Sequence, residues 1–308
     1  MKQLENQVFM YLEQCQFQKE LDSKTIRAYR FDLMQFIGFL ENNKYSIDKE
    51  GISAYLFFLH KTYKQKTTKR KIASIKAFFH YLEYEEMLER NPFDRIRTKF
   101  KEERILPKSI PYEVIEQLFS YIYNIRENIP KNREQEKLIV RDLAILELMF
   151  MTGVRISELC NLKVEAIDLE QGLVRVYGKG GKERVIPIGN RDVVLLLKEY
   201  KKLFTEKIDA YFFVNRWGNP LSDQAVRLLI NKYTKEAGIK MHLTPHMFRH
   251  SFATLLLEED VDIRIIQALL GHSSIVTTQI YAHVASEKKR NVLEHRHPRN
   301  QMLLRKRN

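Results

Sequence analysis

The stretch "LTPHMFRHSFATLLL", residues 243–257, predicts a helix with two unlike faces. Thr244 and Pro245 mark its start, because a side-chain oxygen suits the N-cap and proline suits the first turn. At about 100° per residue, one face is apolar and packs on a core. The apolar positions are Phe248, Phe252, Leu255 and Leu256.

The other face of this helix carries His246, Arg249 and His250. These side chains lie near the N-terminus, where unsatisfied N–H groups and the helix dipole favour an anion. Phosphate is the first candidate. A solvated face with one buried, hydrogen-bonded histidine is the ordinary structural alternative.

The composition favours a polyanionic partner. The 308 residues carry a formal net charge of +13, with a pI near 9.5, which points most simply to nucleic acid. Cys15 and Cys160 are the only cysteines, too few for a disulfide framework or a zinc cluster. The sequence shows neither a signal peptide nor an apolar run of about 18 residues. We therefore expect a cytoplasmic protein with no membrane association.

Helical patterns dominate the first hundred residues. Helices are expected near 4–17, 48–62 and 67–88. A further helix is expected over "SKTIRAYRFDLMQFIGFLEN", with its cap at Ser23. Residues 61–76 contain seven Lys or Arg and no acid. A solvated face is one explanation, but contacts to backbone phosphates explain the run better. The candidate DNA-binding residues are Arg27, Arg30, Lys69, Arg70 and Lys71.

Prolines and dense charges around residue 103 predict a linker between two domains, 1–103 and 104–308. In the second domain "GLVRVYG" and "KERVIPI" flank "KGG" and predict a β-hairpin. Its other elements are helices, and the fold class is mainly α with a small antiparallel β-sheet. These helices are expected near 111–128, 137–151, 192–204, 222–236, 245–258, 262–270 and 274–284.

Four further positions stand out along the second domain. Arg155 follows Gly153 at a helix start, with Glu158 one turn on, and Lys179 lies at the glycine-rich hairpin turn. His272 follows a helix end at Gly271, and Tyr281 lies on the next short helix. Each has an ordinary explanation: an Arg–Glu pair, an exposed turn lysine, a helix-capping histidine, a packed tyrosine. Their joint order along the chain is more informative.

That order resembles the tyrosine recombinase, or phage integrase, family. The strings that carry the resemblance are "TGVRISEL", "GKGGKERVIPI", "LTPHMFRHSFAT" and "LLGHSSIVTTQIYAHV". Together they are specific, and the N-terminal helices look like the family's core-binding domain. The likeness is greatest to the short Xer-type recombinases. The segment 121–138 and the basic tail beyond residue 297 look longer than in typical Xer proteins, which leaves subfamily and partner open.

The resemblance implies an N-terminal helical domain that clamps DNA and a mixed α/β catalytic domain. By position, Tyr281 is the nucleophile that attacks the scissile phosphate. The remaining catalytic set is Arg155, Lys179, His246, Arg249 and His272. Arg155, Arg249 and His272 would bind the non-bridging oxygens, and His246 would orient or deprotonate Tyr281.

Lys179 would protonate the leaving 5′-oxygen, and Lys182 is its rival for that role. Glu158 and His250 would support the groups that touch the phosphate. His242, His246 and His250 have a spacing that could suggest zinc. His242, however, precedes Pro245 and lies outside the helix, and no H-E-x-x-H or P-loop string occurs. We therefore expect no metal, no ATP and no other cofactor.

The implied partner is double-stranded DNA with a specific recombination site. The implied assembly is a homotetramer on DNA, or a heterotetramer with a second recombinase. Two alternatives remain open from sequence: a type IB topoisomerase-like enzyme that relaxes supercoils, and a DNA-binding regulator with an inactive site. Chromosome dimer resolution and the movement of a mobile element are not separable here.

Overall fold

The computed structural model describes residues 2–96, 108–129, 134–178 and 183–271. The chain divides into two compact units, Met1–Arg104 and Ile105–Asn308, and each has its own hydrophobic core. The predicted fold class is confirmed, because the described residues are mainly helical with one three-stranded antiparallel sheet. Within these ranges no helix combines the length and the apolar character needed to cross a bilayer.

The described part of the first unit contains four helices. They are α1 (Lys2–Phe17), α2 (Ser23–Asn43), α3 (Lys49–Thr62) and α4 (Gln65–Tyr84), followed by a 3₁₀ turn at Pro92–Arg95. The predicted cap of α2 is corrected. Asp22 is the N-cap, since its carboxylate accepts the amide of Thr25, and Ser23 is the first helical residue.

The described part of the second unit contains the predicted helices as far as residue 270 and two elements that the sequence patterns did not reveal. Its helices are α5 (Tyr112–Asn128), α6 (Glu134–Thr152), α7 (Ile156–Cys160), α8 (Arg191–Leu203), α9 (Asp223–Glu236), α10 (Pro245–Glu258) and α11 (Ile263–Leu270). A 3₁₀ turn at Val164–Ala166 and a two-residue strand are too short to give a periodic signal. The predicted helix near 274–284 lies outside the described residues.

The sheet is antiparallel in the order β1 (Ile167–Asp168), β2 (Leu173–Tyr177) and β3 (Glu183–Pro187). The predicted hairpin is therefore confirmed, and its register pairs Tyr177 with Glu183. Helix α6 lies at the centre of the core and packs against α5, α8 and α10. Most of its residues are buried, so it is a rigid support for the turn that follows it.

The chain turns at Gly153, directly after α6, with a positive φ of 60°. A β-carbon on Gly153 would lie 2.6 Å from Phe252 Cδ1 and 2.9 Å from Leu270 Cδ2. Phe252 belongs to α10 and Leu270 ends α11. Three elements of the second unit thus meet at a point that has no room for a side chain.

Replacement of Gly153 by alanine tests this close packing. We expect Gly153→Ala to lower the free energy of unfolding by about 3 kcal/mol, because it adds a left-handed backbone penalty to overpacking. The matched control is Gly238→Ala, where φ is also positive but nothing lies within 4 Å of the added carbon. This control should lose only about 1 kcal/mol.

Urea unfolding followed by tryptophan fluorescence measures both losses, since Trp217, the only tryptophan, lies in the second unit. Equal losses for the two variants would contradict the packing argument.

Candidate active site

Arg249 joins three elements through one buried guanidinium. It lies on α10 with only 5% of its surface exposed. Its Nη1 donates to the carbonyl of Gly153 at 2.7 Å, and its Nη2 donates to the carbonyl of Leu270 at 2.6 Å. These two bonds fix α10 to the turn after α6 and to the C-terminal end of α11.

Arg155 follows the same turn and caps α7. Its backbone N–H donates to Glu158 Oε2 at 2.8 Å, and its Nη1 donates to Glu158 Oε1 at 2.7 Å. The Arg155 side chain remains 36% exposed. The Gly153 carbonyl accepts a hydrogen bond from Arg249, and Arg155 lies two residues after Gly153. Both arginines are therefore attached to the same turn.

Arg184, on β3, is a site residue that the sequence analysis missed. Its Nη2 and Nη1 donate to Glu158 Oε2 and Oε1 at 2.7 and 3.1 Å, and its Nε donates to the Leu269 carbonyl at 2.8 Å. One sequence signal was available. Arg184 is in phase with buried Ile186 on the strand, so its side chain points inward.

Arg184 and Arg155 hold Glu158 in its ionised form. Burial alone would raise the pKa of this carboxyl. The hydrogen bonds from Arg184 and Arg155, together with the positive charge of Arg184, outweigh burial and lower the pKa below its ordinary value of 4.5. Glu158 is thus a fixed negative charge between two guanidinium groups.

His246 and His250 stack one turn apart on α10, with ring centroids 6.3 Å apart and ring planes 28° apart. His246 is exposed and His250 is half-buried. Burial, and then the positive fields of His246 and Arg249, lower the pKa of His250 below its ordinary 6.5. At neutral pH the His250 imidazole is therefore uncharged, which spares the site a further buried cation.

The hydrogen bonds of Arg249, Arg184 and Glu158 form a closed ring. Arg249 connects Gly153 to Leu270, Arg184 connects Leu269 to Glu158, and Glu158 holds Arg155, two residues from Gly153. The ring brings together Arg155, Glu158, Arg249 and, through α10, His246 and His250. Such a concentration of donors and positive charge suits the binding of a phosphate.

Four predicted residues lie outside the described residues. These are Lys179 and its rival Lys182, which lie between β2 and β3 in the sequence, and His272 and Tyr281, which follow α11 in the sequence. In the sequence, β2 and β3 flank the two lysines. Gly271, directly before His272, ends α11 in a left-handed conformation with φ of 64°. That helix end is as predicted.

The predicted DNA-binding residues of the first unit differ in their surroundings. Arg27, Arg30 and Lys69 are exposed. Arg70 is 45% exposed at its side chain and also pairs with the buried Asp32. Arg27, Arg30, Lys69 and Arg70 therefore remain candidates for phosphate contacts.

Lys71 requires a correction, because it is only 1% exposed. Its ammonium donates to Asp32 Oδ1 at 2.8 Å and to Gln35 Oε1 at 2.7 Å. The α4 stripe that buries Ile72 and Ile75 also turns Lys71 towards α2, where it compensates a buried carboxylate. Lys71 thus stabilises the helix pair and is not presented to DNA.

Known proteins match the chain along nearly its whole length. A profile of the phage integrase family matches residues 108–288, which is more than half of the chain. A profile of the phage integrase N-terminal SAM-like domain matches residues 9–86. A tyrosine recombinase of Agathobacter rectalis is 50% identical over 302 residues, covering 97% of this chain and 98% of that protein.

The chain belongs to the phage integrase family. Tyrosine recombinase XerC of Thermodesulfovibrio yellowstonii is also similar, with 36% identity over 94% of this chain and 95% of that protein. The predicted membership of the Xer-type tyrosine recombinases is therefore confirmed, and so is the enzyme class. The topoisomerase-like and inactive-regulator alternatives are not favoured.

The crystal structure of the XerH site-specific recombinase on a palindromic difH substrate, in a post-cleavage complex, aligns with a TM-score of 0.74. The alignment covers 94% of this chain and 84% of that chain at 22% identity. At this identity the match shows that this member of the phage integrase family shares the XerH fold.

Replacement of Glu158 by glutamine tests the ion-pair cluster in this phage integrase family member. At pH 7 we expect Glu158→Gln to lower the free energy of unfolding by on the order of 3 kcal/mol, because it leaves the nearly buried Arg184 without its charged partner. The pKa of Glu158 is lower in the folded state than in the unfolded state. The wild-type advantage should thus be complete above about pH 4.5 and shrink as the pH falls below it.

Urea unfolding of both proteins between about pH 3 and pH 7, read by tryptophan fluorescence, measures this difference. The control is Glu183→Gln, which removes an exposed pair with Arg175 and should cost less than about 1 kcal/mol. A wild-type advantage that stays constant down to pH 3 would count against the cluster.

Proposed function

We propose that this protein is a site-specific DNA recombinase that cleaves and rejoins strands of double-stranded DNA through a 3′-phosphotyrosine at Tyr281. The observation that carries the proposal is the ring that ties Arg155 and Arg249 to the one turn at Gly153. Membership of the phage integrase family supports it. The residue roles below extend the proposal to the chemistry.

Arg155 and Arg249 bind the scissile phosphate. Attack on phosphorus gives a five-coordinate transition state with extra negative charge on its non-bridging oxygens. Guanidinium groups stay charged at every physiological pH and donate in a fork that matches two such oxygens. Donors of this kind, held in place before the reaction, are typically worth about 3–4 kcal/mol each. Glu158 acts by holding Arg155 through its hydrogen bonds, and His250 acts by stacking on His246.

Tyr281 is the nucleophile. Its Oη forms a bond to phosphorus while the bond from phosphorus to the 5′-oxygen breaks, which leaves a 3′-phosphotyrosine and a free 5′-hydroxyl. A phenol has a pKa near 10, so it needs a base or a strong positive field. His246 orients Tyr281 or accepts its proton, and His272 donates a hydrogen bond to the phosphate.

Lys179 donates the proton that the leaving 5′-oxygen requires. Lys179 lies between β2 and β3 in the sequence, and Lys182 follows three residues later. Attack by a 5′-hydroxyl reverses the same steps and reseals the strand. The phosphodiester energy is kept in the phosphotyrosine, and the arginines neutralise charge. The proposed reaction accordingly includes neither a metal ion nor ATP.

The two predicted domains, 1–103 and 104–308, clamp the duplex together. In the first, Arg27, Arg30, Lys69 and Arg70 contact backbone phosphates, which supply affinity and position. Exchange between two duplexes requires cleavage of four strands. The assembly is thus a tetramer, either of this chain or shared with a second recombinase. DNA as substrate, together with the two free thiols Cys15 and Cys160, fits a cytoplasmic location.

A nicked suicide substrate tests the proposed chemistry. Its recombination site is first recovered by sequencing DNA fragments bound by the Tyr281→Phe variant. Wild-type protein should form a covalent protein–DNA adduct that resists boiling in detergent, and Tyr281→Phe should form none. Arg155→Lys and Arg249→Lys should slow adduct formation by about 10²–10³-fold, since an ammonium cannot reproduce the fork.

The control is Tyr177→Phe, which removes an exposed hydroxyl on β2 and should leave the rate unchanged. If Tyr281→Phe still forms the adduct, or if wild-type protein relaxes supercoils and yields no recombinant product, the proposal fails.

A sulfur substitution at the leaving atom separates Lys179 from Lys182. A 5′-thiolate leaves without prior protonation, because a thiol is a far stronger acid than an alcohol. The Lys179→Ala variant should cleave the normal substrate about 10²–10⁴-fold more slowly than wild type. It should cleave the 5′-thio substrate at close to the wild-type rate. Lys182→Ala should show no such difference between the two substrates. The opposite pattern would assign the proton transfer to Lys182.

A further inference from the structure

Arg184 is a nearly buried guanidinium to which no proposed chemical step assigns a role. Its side chain is 10% exposed. It holds both oxygens of Glu158 and, through Nε, the carbonyl of Leu269. A planar fork with an additional Nε donor suits this double task, whereas an ammonium is a point charge that cannot serve both partners in the same geometry.

The partners of Arg184 lead to three different parts of the proposed catalytic set. Glu158 binds the side chain and the backbone of Arg155. Leu269 lies three residues before His272. Arg184 itself lies on β3, which begins four residues after Lys179 in the sequence. No other contact described here reaches all three segments.

The chain also passes very close to Arg184 where α11 ends. A β-carbon on Gly271 would lie 3.0 Å from Arg184 Cδ and 3.1 Å from its Nη1. The left-handed Gly271 therefore turns the backbone against the arginine stem. Arg184 thus holds the Leu269 carbonyl and packs against Gly271, the residue before His272 in the sequence.

We infer that Arg184 is a positioning residue that fixes Arg155, strand β3 and the C-terminal end of α11 relative to one another, and that Lys179 and His272 depend on it because they lie next to these elements in the sequence. This inference rests on the proposed function. Arg184 contacts no reacting atom in this account; it acts through Glu158, Leu269 and Gly271. Its loss should therefore slow strand cleavage far more than it weakens DNA binding.

Single-turnover cleavage of the nicked substrate, beside DNA affinity measured by gel shift, tests the inference. With saturating protein, Arg184→Met should cleave about 10–100-fold more slowly than wild type, since small misplacements of catalytic groups have effects of this size. Its affinity for DNA should stay within about threefold, because so little of Arg184 is exposed to meet a phosphate directly. Arg184→Lys should recover only part of the rate.

Two controls separate positioning from charge and from general stability. Arg175→Met removes an exposed arginine from the neighbouring strand β2 and should cleave at close to the wild-type rate. Tyr200→Phe removes a buried hydroxyl bonded to the Phe212 carbonyl and the Val214 amide. It destabilises the same unit away from the site, and it should cleave normally at a temperature where both proteins are folded.

Combination with Glu158→Gln gives a second, independent measure. If Arg184 acts through Glu158, the double variant should cleave no more than about threefold more slowly than the slower single variant, because coupled residues are not additive. Multiplied losses would assign Arg184 a role separate from Glu158 and overturn the inference.

Three further results would also overturn it: wild-type cleavage by Arg184→Met, equal losses of affinity and rate, or an equal slowing by Tyr200→Phe. Absence of an adduct with wild-type protein is a different result, because it contradicts the proposed function itself.

Discussion

The site depends on the two hydrogen bonds from Arg249 to the carbonyls of Gly153 and Leu270, at 2.7 and 2.6 Å. A guanidinium has five N–H donors in a rigid plane, so one side chain can fix a helix end and a turn and still bring positive charge to an anion. The same group therefore serves both the fold and the proposed chemistry. This explains why a charged residue is nearly buried in a helix whose other inward positions, apart from Ser251, are apolar.

Gly153 is the counterpart of this interaction. The turn has to pass within van der Waals distance of Phe252 and Leu270 for its carbonyl to reach Arg249, and only glycine permits that approach with a positive φ. The same turn is therefore required both for the close packing of the second unit and for the proposed binding of an anion. Glu158 and Arg184 extend it, since they connect Arg155 and the hairpin to the end of α11.

The sequence was most informative where the signal is local. Thr244 and Pro245 at the start of α10, Gly271 at the end of α11 and the hairpin around "KGG" all follow from nearest-neighbour chemistry. It was least informative where partners are distant. Arg184 meets Leu269 across 85 positions of the chain, and Lys71 meets Asp32 across 39. A basic run by itself does not show which of its members faces inward, which is why Lys71 was assigned to DNA.

A crystal structure of the Tyr281→Phe variant on duplex DNA carrying its recombination site tests the central claim most directly. The distances that matter join the guanidinium nitrogens of Arg155 and Arg249 to the phosphate oxygens. We expect both groups to donate, at about 2.7–2.9 Å, to non-bridging oxygens of one phosphate beside residue 281. Arginines bound to two different phosphates, or an Arg249 that stays away from the DNA, would contradict the account.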